Sequence, residues 1–162
     1  MFICFFLFLN HIPSDHEKMR ELFVNMHTNK NDATELLILS ENTTEVNSVL
    51  KAAYYSAAEM FLSQYKLNPF SKIEAFNLGR HRLDSAIEAD TMLIESRYLR
   101  YTIQQNAPSL LKYTGHLKSD RRFLINTVRS IKTTDPDLYI KICSYLLLKA
   151  NLNKTEKMLI QS

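Results

Sequence analysis

Glycine and proline are scarce in this chain of 162 residues, which contains two glycines, four prolines and no tryptophan. All-β folds and nucleotide-binding α/β folds use glycine at many tight turns and phosphate loops. The scarcity therefore weighs against both classes. It favours helices, which need few residues with positive φ.

Cysteine is scarce as well, and Cys4 and Cys143 are too far apart to form a CxxC pair. No disulfide framework is indicated. Cys143 falls in an apolar stripe of helical spacing, where a free cysteine usually behaves as a small buried hydrophobe. We therefore do not predict a catalytic thiol.

Familiar catalytic and metal-binding motifs are missing from the sequence. It has no glycine-rich phosphate loop, no G-x-S-x-G or S-x-x-K set with a plausible base, and no H-E-x-x-H. The five histidines are not spaced as a ligand set, and His81 has only Asp84 and Glu88 along its own helix face. We predict no catalytic residues, no metal site and no cofactor.

One uninterrupted apolar run, MFICFFLFL, occupies residues 1–9. It is too short to span a bilayer, which takes about 20 apolar residues. Its length fits the hydrophobic region of a signal peptide, so we predict a leader over residues 1–13 and a periplasmic or secreted protein. Basic residues before the run and a small-x-small cleavage site are lacking, so the alternative is an N-terminal segment packed on the core of a cytoplasmic protein.

Prolines and helix-capping residues divide the rest of the chain into helices. Ser14 with Glu17 and Ser71 with Glu74 have the form of capping boxes, and Asp135-Pro136 is a strong helix start. Apolar residues recur at helical spacing after each of them. The predicted helices cover about 15–27, 33–39, 45–65, 71–90, 92–105, 117–132, 136–150 and 154–160, with an irregular segment at 109–116.

Short connections between these helices predict mostly antiparallel neighbours. We expect residues 14–162 to form a single all-α domain, an irregular antiparallel helix-hairpin array of about seven or eight helices. Residues 45–65, rich in alanine and large apolar side chains, should lie at its centre.

Residues 75–99, AFNLGRHRLDSAIEADTMLIESRYL, resemble the second helix of a tetratricopeptide repeat running into the next repeat. Gly79 and Ala86 fall where that repeat prefers small residues, and Leu83 falls where it takes a large one. Thr91 departs from the pattern, because the repeat has proline there. The resemblance implies tetratricopeptide-like hairpin geometry in the middle of the chain.

A wider stretch, NPFSKIEAFNLG at 68–79 with IESRYLRYTIQQNAPSLLKY at 94–113, is similar to an uncharacterised family of small exported bacterial all-helical proteins. The resemblance covers most of residues 15–150 and implies a helical fold and export. That family carries no assigned activity, so no catalytic residues are transferred from it.

Arginines and tyrosines interleave on the helix predicted at 92–105. Arg97, Arg100 and Gln104 follow one another at steps of three and four, so they share a face on which two guanidinium groups can hold an anion. The candidate partner-binding residues are Arg97, Tyr98, Arg100, Tyr101, Gln104, Asn106 and Tyr113. The alternative is that the arginines pair with Glu95, Asp90 or Asp120 and join neighbouring helices.

Charge is distributed unevenly along the chain. Residues 1–110 carry 10 basic and 13 acidic side chains, whereas residues 111–162 carry 10 basic and 4 acidic ones. The helix predicted at 117–132 places a basic surface on one side: Lys118, Arg121, Arg122, Arg129 and Lys132. This is either an ordinary solvated face or a site for an acidic partner or a membrane surface; no nucleic-acid-binding motif accompanies it.

Together these features predict a non-enzymatic protein-binding or scaffold domain of the bacterial cell envelope. The alternatives are a cytoplasmic helical-repeat adaptor and a small enzyme with a polar site around Arg97 and Arg100. No particular partner and no oligomeric state is indicated by the sequence.

Overall fold

The computed structural model describes residues 12–161 and is all-helical, with no strand in that range. The apolar run and Cys4 lie outside the described residues, so the predicted leader remains a prediction. The α-helices are α1 (Asp15–Asn25), α2 (Lys30–Asn42), α3 (Ser48–Leu62), α4 (Pro69–Ala89), α5 (Ile94–Asn106), α6 (Leu117–Thr127), α7 (Pro136–Lys149) and α8 (Lys154–Gln161). Short 3-10 helices cover Ser63–Tyr65, Ser109–Leu111 and Val128–Ile131.

Two of the predicted helix starts are confirmed in detail. The Ser14 hydroxyl accepts from the Glu17 backbone N–H at 3.2 Å, and the Glu17 carboxylate accepts from the Ser14 N–H at 2.8 Å, which completes the capping box of α1. At α7, Asp135 accepts from the Leu138 N–H at 3.1 Å and Pro136 occupies the first turn.

Three predicted boundaries are wrong. The helix expected at 33–39 begins earlier, at Lys30, because Asn29 caps it. Ser71 is not a cap, since α4 already begins at Pro69 with Asn68 accepting from the Phe70 N–H at 2.8 Å. The helix expected at 117–132 changes at Thr127 into a 3-10 turn, where the Thr127 hydroxyl bonds the Phe123 carbonyl instead of solvent.

Helix α5 lies between two apolar clusters. The first cluster is formed mainly by α1, α2, α3 and α4, and Leu99 and Ile103 of α5 pack into it. The second is formed by α6, α7 and α8, and Tyr98 and Tyr101 of α5 pack into that one. The helix is therefore buried on both sides, and it joins the two clusters.

The α3–α4 hairpin is closely packed at Gly79. A Cβ atom at this position would stand 2.5 Å from Met60 Cγ and 3.1 Å from the Ser56 carbonyl oxygen. The Met60 side chain would have to move to relieve the first contact. Relieving the second contact would require α3 and α4 to separate. Gly79 thus sets the distance between α3 and α4.

We expect Gly79→Leu to destabilise the protein by about 2 kcal/mol, because overpacking outweighs the higher helix propensity of leucine. Urea unfolding followed by circular dichroism measures the change. Gly115→Leu is the matched control, because a Cβ at Gly115 meets no atom within 4 Å. Equal effects of the two substitutions would contradict a close α3–α4 contact.

Candidate functional site

Most of the predicted partner-binding residues on α5 lie inside the protein. Five of the seven are buried: Tyr98, Arg100, Tyr101, Gln104 and Tyr113. Arg97 is partly buried, and Asn106 is exposed and donates to the Tyr145 hydroxyl at 3.0 Å. The prediction that these residues form an exposed recognition surface is therefore corrected. Other helices cover α5 on both sides.

The two arginines of α5 bind a carboxylate of α6, as the alternative interpretation expected. Arg100 donates to the fully buried Asp120 through Nε at 2.7 Å and Nη2 at 2.9 Å, and Arg97 donates to the same group at 3.1 Å. Arg100 also donates to Asp84 of α4 at 2.9 Å, and the Tyr113 hydroxyl donates to Asp84 at 3.1 Å. These bonds connect α4, α5 and α6.

A second buried ion-pair network surrounds Glu95 at the start of α5. Arg20 of α1 donates to the Glu95 carboxylate through Nε and Nη2, both at 2.8 Å. The Tyr54 hydroxyl of α3 donates to it at 2.6 Å, and His16 Nε2 lies 2.9 Å from its second oxygen. Arg20 extends the network to Asp135, the cap of α7, at 2.9 Å. Three helices therefore meet at the Glu95 carboxylate, and Arg20 joins the cap of α7 to them.

The environment of Glu95 keeps it ionised. Burial by itself would raise the pKa of Glu95, but the hydrogen bonds from Arg20 and His16 outweigh it and lower that pKa to about 2. Burial and the adjacent Glu95 charge raise the pKa of Tyr54 well above its ordinary value, so its hydroxyl stays protonated and donates. The network is thus a fixed structural contact.

Glu95→Gln should destabilise the protein by about 3 kcal/mol, because it leaves the buried Arg20 charge undercompensated. The lower end of the usual range is expected, since Asp135 still pairs with Arg20. Chemical unfolding measures the difference. Glu59→Gln breaks the more exposed Arg82–Glu59 pair and serves as control, with an expected cost of about 0–1 kcal/mol; a similar loss in both variants would contradict the assignment.

Acid should destabilise the protein between about pH 4.5 and pH 2. The pKa of Glu95 falls from 4.5 to about 2 on folding, so the unfolded chain binds more protons in this window and the free energy of unfolding decreases as the pH drops. Urea titrations at several pH values measure the slope. Glu95→Gln should have a shallower slope, and an unchanged slope would show that other carboxylates cause the effect.

An apolar groove of about 450 Å³ lies on another part of the surface, between the end of α1, α3, α4 and the segment after α5. Its walls are mainly large apolar side chains: Met26, Met60, Phe61, Ile73, Phe76, Ile103, Leu110 and Leu111. Leu110 in this lining is 80% exposed, and near the lining residue Pro69 in the chain Phe70 is 82% exposed and Leu67 is fully exposed. A concave apolar surface with exposed apolar neighbours is typical of a binding site.

Two of the groove residues carry titratable side chains, His27 and Lys72. The His27 ring makes edge contacts with Phe23 and Phe61 at centroid distances of 6.0 and 5.9 Å. Burial lowers the pKa of His27, so the ring is mainly neutral at pH 7. Lys72 is exposed and supplies a positive charge to the groove lining.

Sequence reasoning did not find this groove. Its residues come from four separate segments between Met26 and Leu111, and their spacing is the same as that of core positions. One local signal was present, since Leu67 and Phe70 place apolar side chains around the Asn68-Pro69 turn between two helices. Large apolar residues at such a turn are candidates for an exposed contact.

The predicted basic residues lie on α6 and on or just after the 3-10 turn that follows it. Lys118, Arg121 and Arg122 line a recess of about 360 Å³ between α6 and α8. Arg129 and Lys132 follow on and after the 3-10 turn, and the Lys132 ammonium lies 5.7 Å from the Tyr139 ring centroid. The first three of these residues line the recess, and the last two are not part of its lining.

Within residues 12–161, no group of three or more histidine, cysteine or acidic side chains is arranged to hold a metal ion. The same residues include no helix with the length and apolar character needed to cross a bilayer. His16, one of the five histidines considered above, is engaged with Glu95.

Comparisons with family models, curated proteins and solved structures find no match to this chain. The tetratricopeptide-like geometry and the suspected family of exported helical proteins remain predictions. Function is therefore argued from the geometry of the groove and of the charged residues.

Proposed function

We propose that the protein is a non-enzymatic binding domain whose apolar groove receives an amphipathic helix of another protein. The observation that carries this proposal is the groove of about 450 Å³ with Leu110 exposed in its lining and Phe70 exposed next to the lining residue Pro69 in the chain. Grooves of this kind bind helices through apolar anchors spaced three, four and seven residues apart. Because Lys72 is positively charged, we expect the partner helix to carry acidic residues beside its apolar stripe.

The geometry favours binding over the small-enzyme alternative. Arg97 and Arg100, the residues considered for a polar active site, both donate to Asp120. A substrate anion would have to displace a carboxylate that is fully buried and held by three hydrogen bonds. Such an exchange leaves a buried charge without its partner, at a cost of several kcal/mol.

Location in the bacterial envelope is the second element of the proposal. It is supported by the apolar run at residues 1–9 and by the resemblance to small exported helical proteins. A cytoplasmic adaptor would use the same groove and differ only in compartment. Tetratricopeptide-like packing belongs to the proposal too, supported by the close α3–α4 approach at Gly79.

The test compares two double variants in a quantitative pull-down from the native host. Phe70→Glu/Leu110→Glu should reduce recovery of a specific partner at least tenfold, about 1.4 kcal/mol, because charges oppose burial of its apolar side chains. The matched control is Ile140→Glu/Leu148→Glu on α7, at side chains that are 61% and 77% exposed.

A defined probe complements the pull-down. An apolar fluorescent dye should bind the purified protein and lose most of its signal in the groove variant, with the control unchanged. Loss of partners in both double variants, or unchanged recovery in both, would contradict the proposed groove. Circular dichroism verifies that each variant keeps its helices.

A further inference from the structure

The positive charge of the C-terminal third is not neutralised by its own carboxylates. Residues 111–162 contain 10 basic and 4 acidic side chains. Every one of these carboxylates is already held in an ion pair: Asp120, Asp135, Asp137 and Glu156. Within residues 111–161, side-chain carboxylates of the same third are paired with Arg121 and Lys141, which leaves a surplus of basic side chains on this part of the surface.

The recess between α6 and α8 concentrates part of this charge. Lys118 and Arg122 stand one helical turn apart on its wall, and neither forms an ion pair with a described residue. Arg121 beside them binds Glu156 through two bonds of 2.7 and 2.8 Å, so this carboxylate does not offset their charge. Leu159 contributes an apolar wall from α8.

Helix α8 places exposed apolar side chains next to these cations. Ile160 points into the core and is fully buried. At about 100° per residue, Met158 then faces away from the core, Leu159 faces the α6 side, and Lys154 and Lys157 lie on the opposite flank. Met158 and Leu159 are 54% and 46% exposed. Met158 and Leu159 thus form a small apolar face between two pairs of basic residues, Lys118 with Arg122 and Lys154 with Lys157.

We propose that this α6–α8 face, formed by Lys118, Arg122, Lys154, Lys157, Met158 and Leu159, binds the surface of an anionic lipid bilayer. The basic side chains contact lipid phosphates, and Met158 and Leu159 enter the interface. Basic residues around a small apolar face are the features that hold amphipathic helices at membrane surfaces.

Attachment of this kind is peripheral, and it leaves the apolar groove accessible. The groove is lined by α1, α3, α4 and the segment after α5, and none of its lining residues belongs to the α6–α8 face. Membrane binding is therefore independent of the proposed function. One surface can hold the protein at the bilayer while the other holds a partner.

Cosedimentation of the full chain with vesicles tests the proposal. Binding is expected to vesicles of phosphatidylcholine with phosphatidylglycerol, weaker binding to phosphatidylcholine alone, and a steep decrease with added salt. Lys118→Glu/Arg122→Glu should weaken binding about 30-fold or more, since each basic residue near an anionic surface contributes about fivefold. Met158→Ser/Leu159→Ser should weaken it at low and high salt alike.

The matched control is Lys30→Glu/Lys66→Glu, which changes the net charge equally at exposed positions outside the groove lining and outside the α6–α8 face. A much smaller loss in this control supports the α6–α8 face. Equal losses in the two charge-reversal variants, or equal binding to neutral vesicles, would overturn the proposal. So would saturable binding of glycerol phosphate without binding to vesicles, because the recess would then be a site for soluble anions.

Folding of the test variants is checked separately. Lys118 and Arg122 are exposed, so circular dichroism and the urea midpoint should match the unsubstituted protein. Lys118→Gln/Arg122→Gln removes charge without reversing it and should give an intermediate loss of binding. A full-strength interaction in this neutral variant would also overturn the proposal.

Discussion

The buried ion pair between Arg20 and Glu95 is the contact on which the arrangement of the helices depends. The Glu95 carboxylate accepts two bonds from Arg20 of α1 and one from Tyr54 of α3, and Arg20 also binds Asp135, the cap of α7. A buried ion pair adds little net stability, because desolvation offsets the attraction. Its geometric demands are strict, however, so it selects one packing of these helices.

The ion-pair network of Arg100 repeats this principle further along α5. Arg100 joins Asp120 of α6 and Asp84 of α4, so the same helix is bound to both apolar clusters through charged groups. Because the side chains of α5 make internal contacts, we expect other elements to bind ligands. The apolar groove and the α6–α8 face are formed where helices end or leave side chains uncovered, and they suit two different kinds of partner.

Helix positions were predictable where local chemistry decides them. The Ser14 and Asp135 caps satisfy backbone groups within three residues, and neither depends on distant packing. Predictions failed where two local signals competed. Asn68 and Ser71 both suit a helix start, and Pro69 favours the first because proline fits the first helical position. At Thr127 a side-chain hydroxyl bonds the backbone and α-helical geometry gives way to a 3-10 turn, which apolar spacing does not reveal.

The sequence alone determined that the protein is helical, where most helices begin, and that Arg97 and Arg100 share one helix face. Only the tertiary structure decided that this face meets Asp120 and lies away from solvent. It also decided that Met26 and Leu111, 85 positions apart, line the same groove. The physical reason is that periodicity sets the direction of a side chain around its own helix axis. Which helix, ion pair or solvent lies in that direction depends on packing between segments distant in the chain.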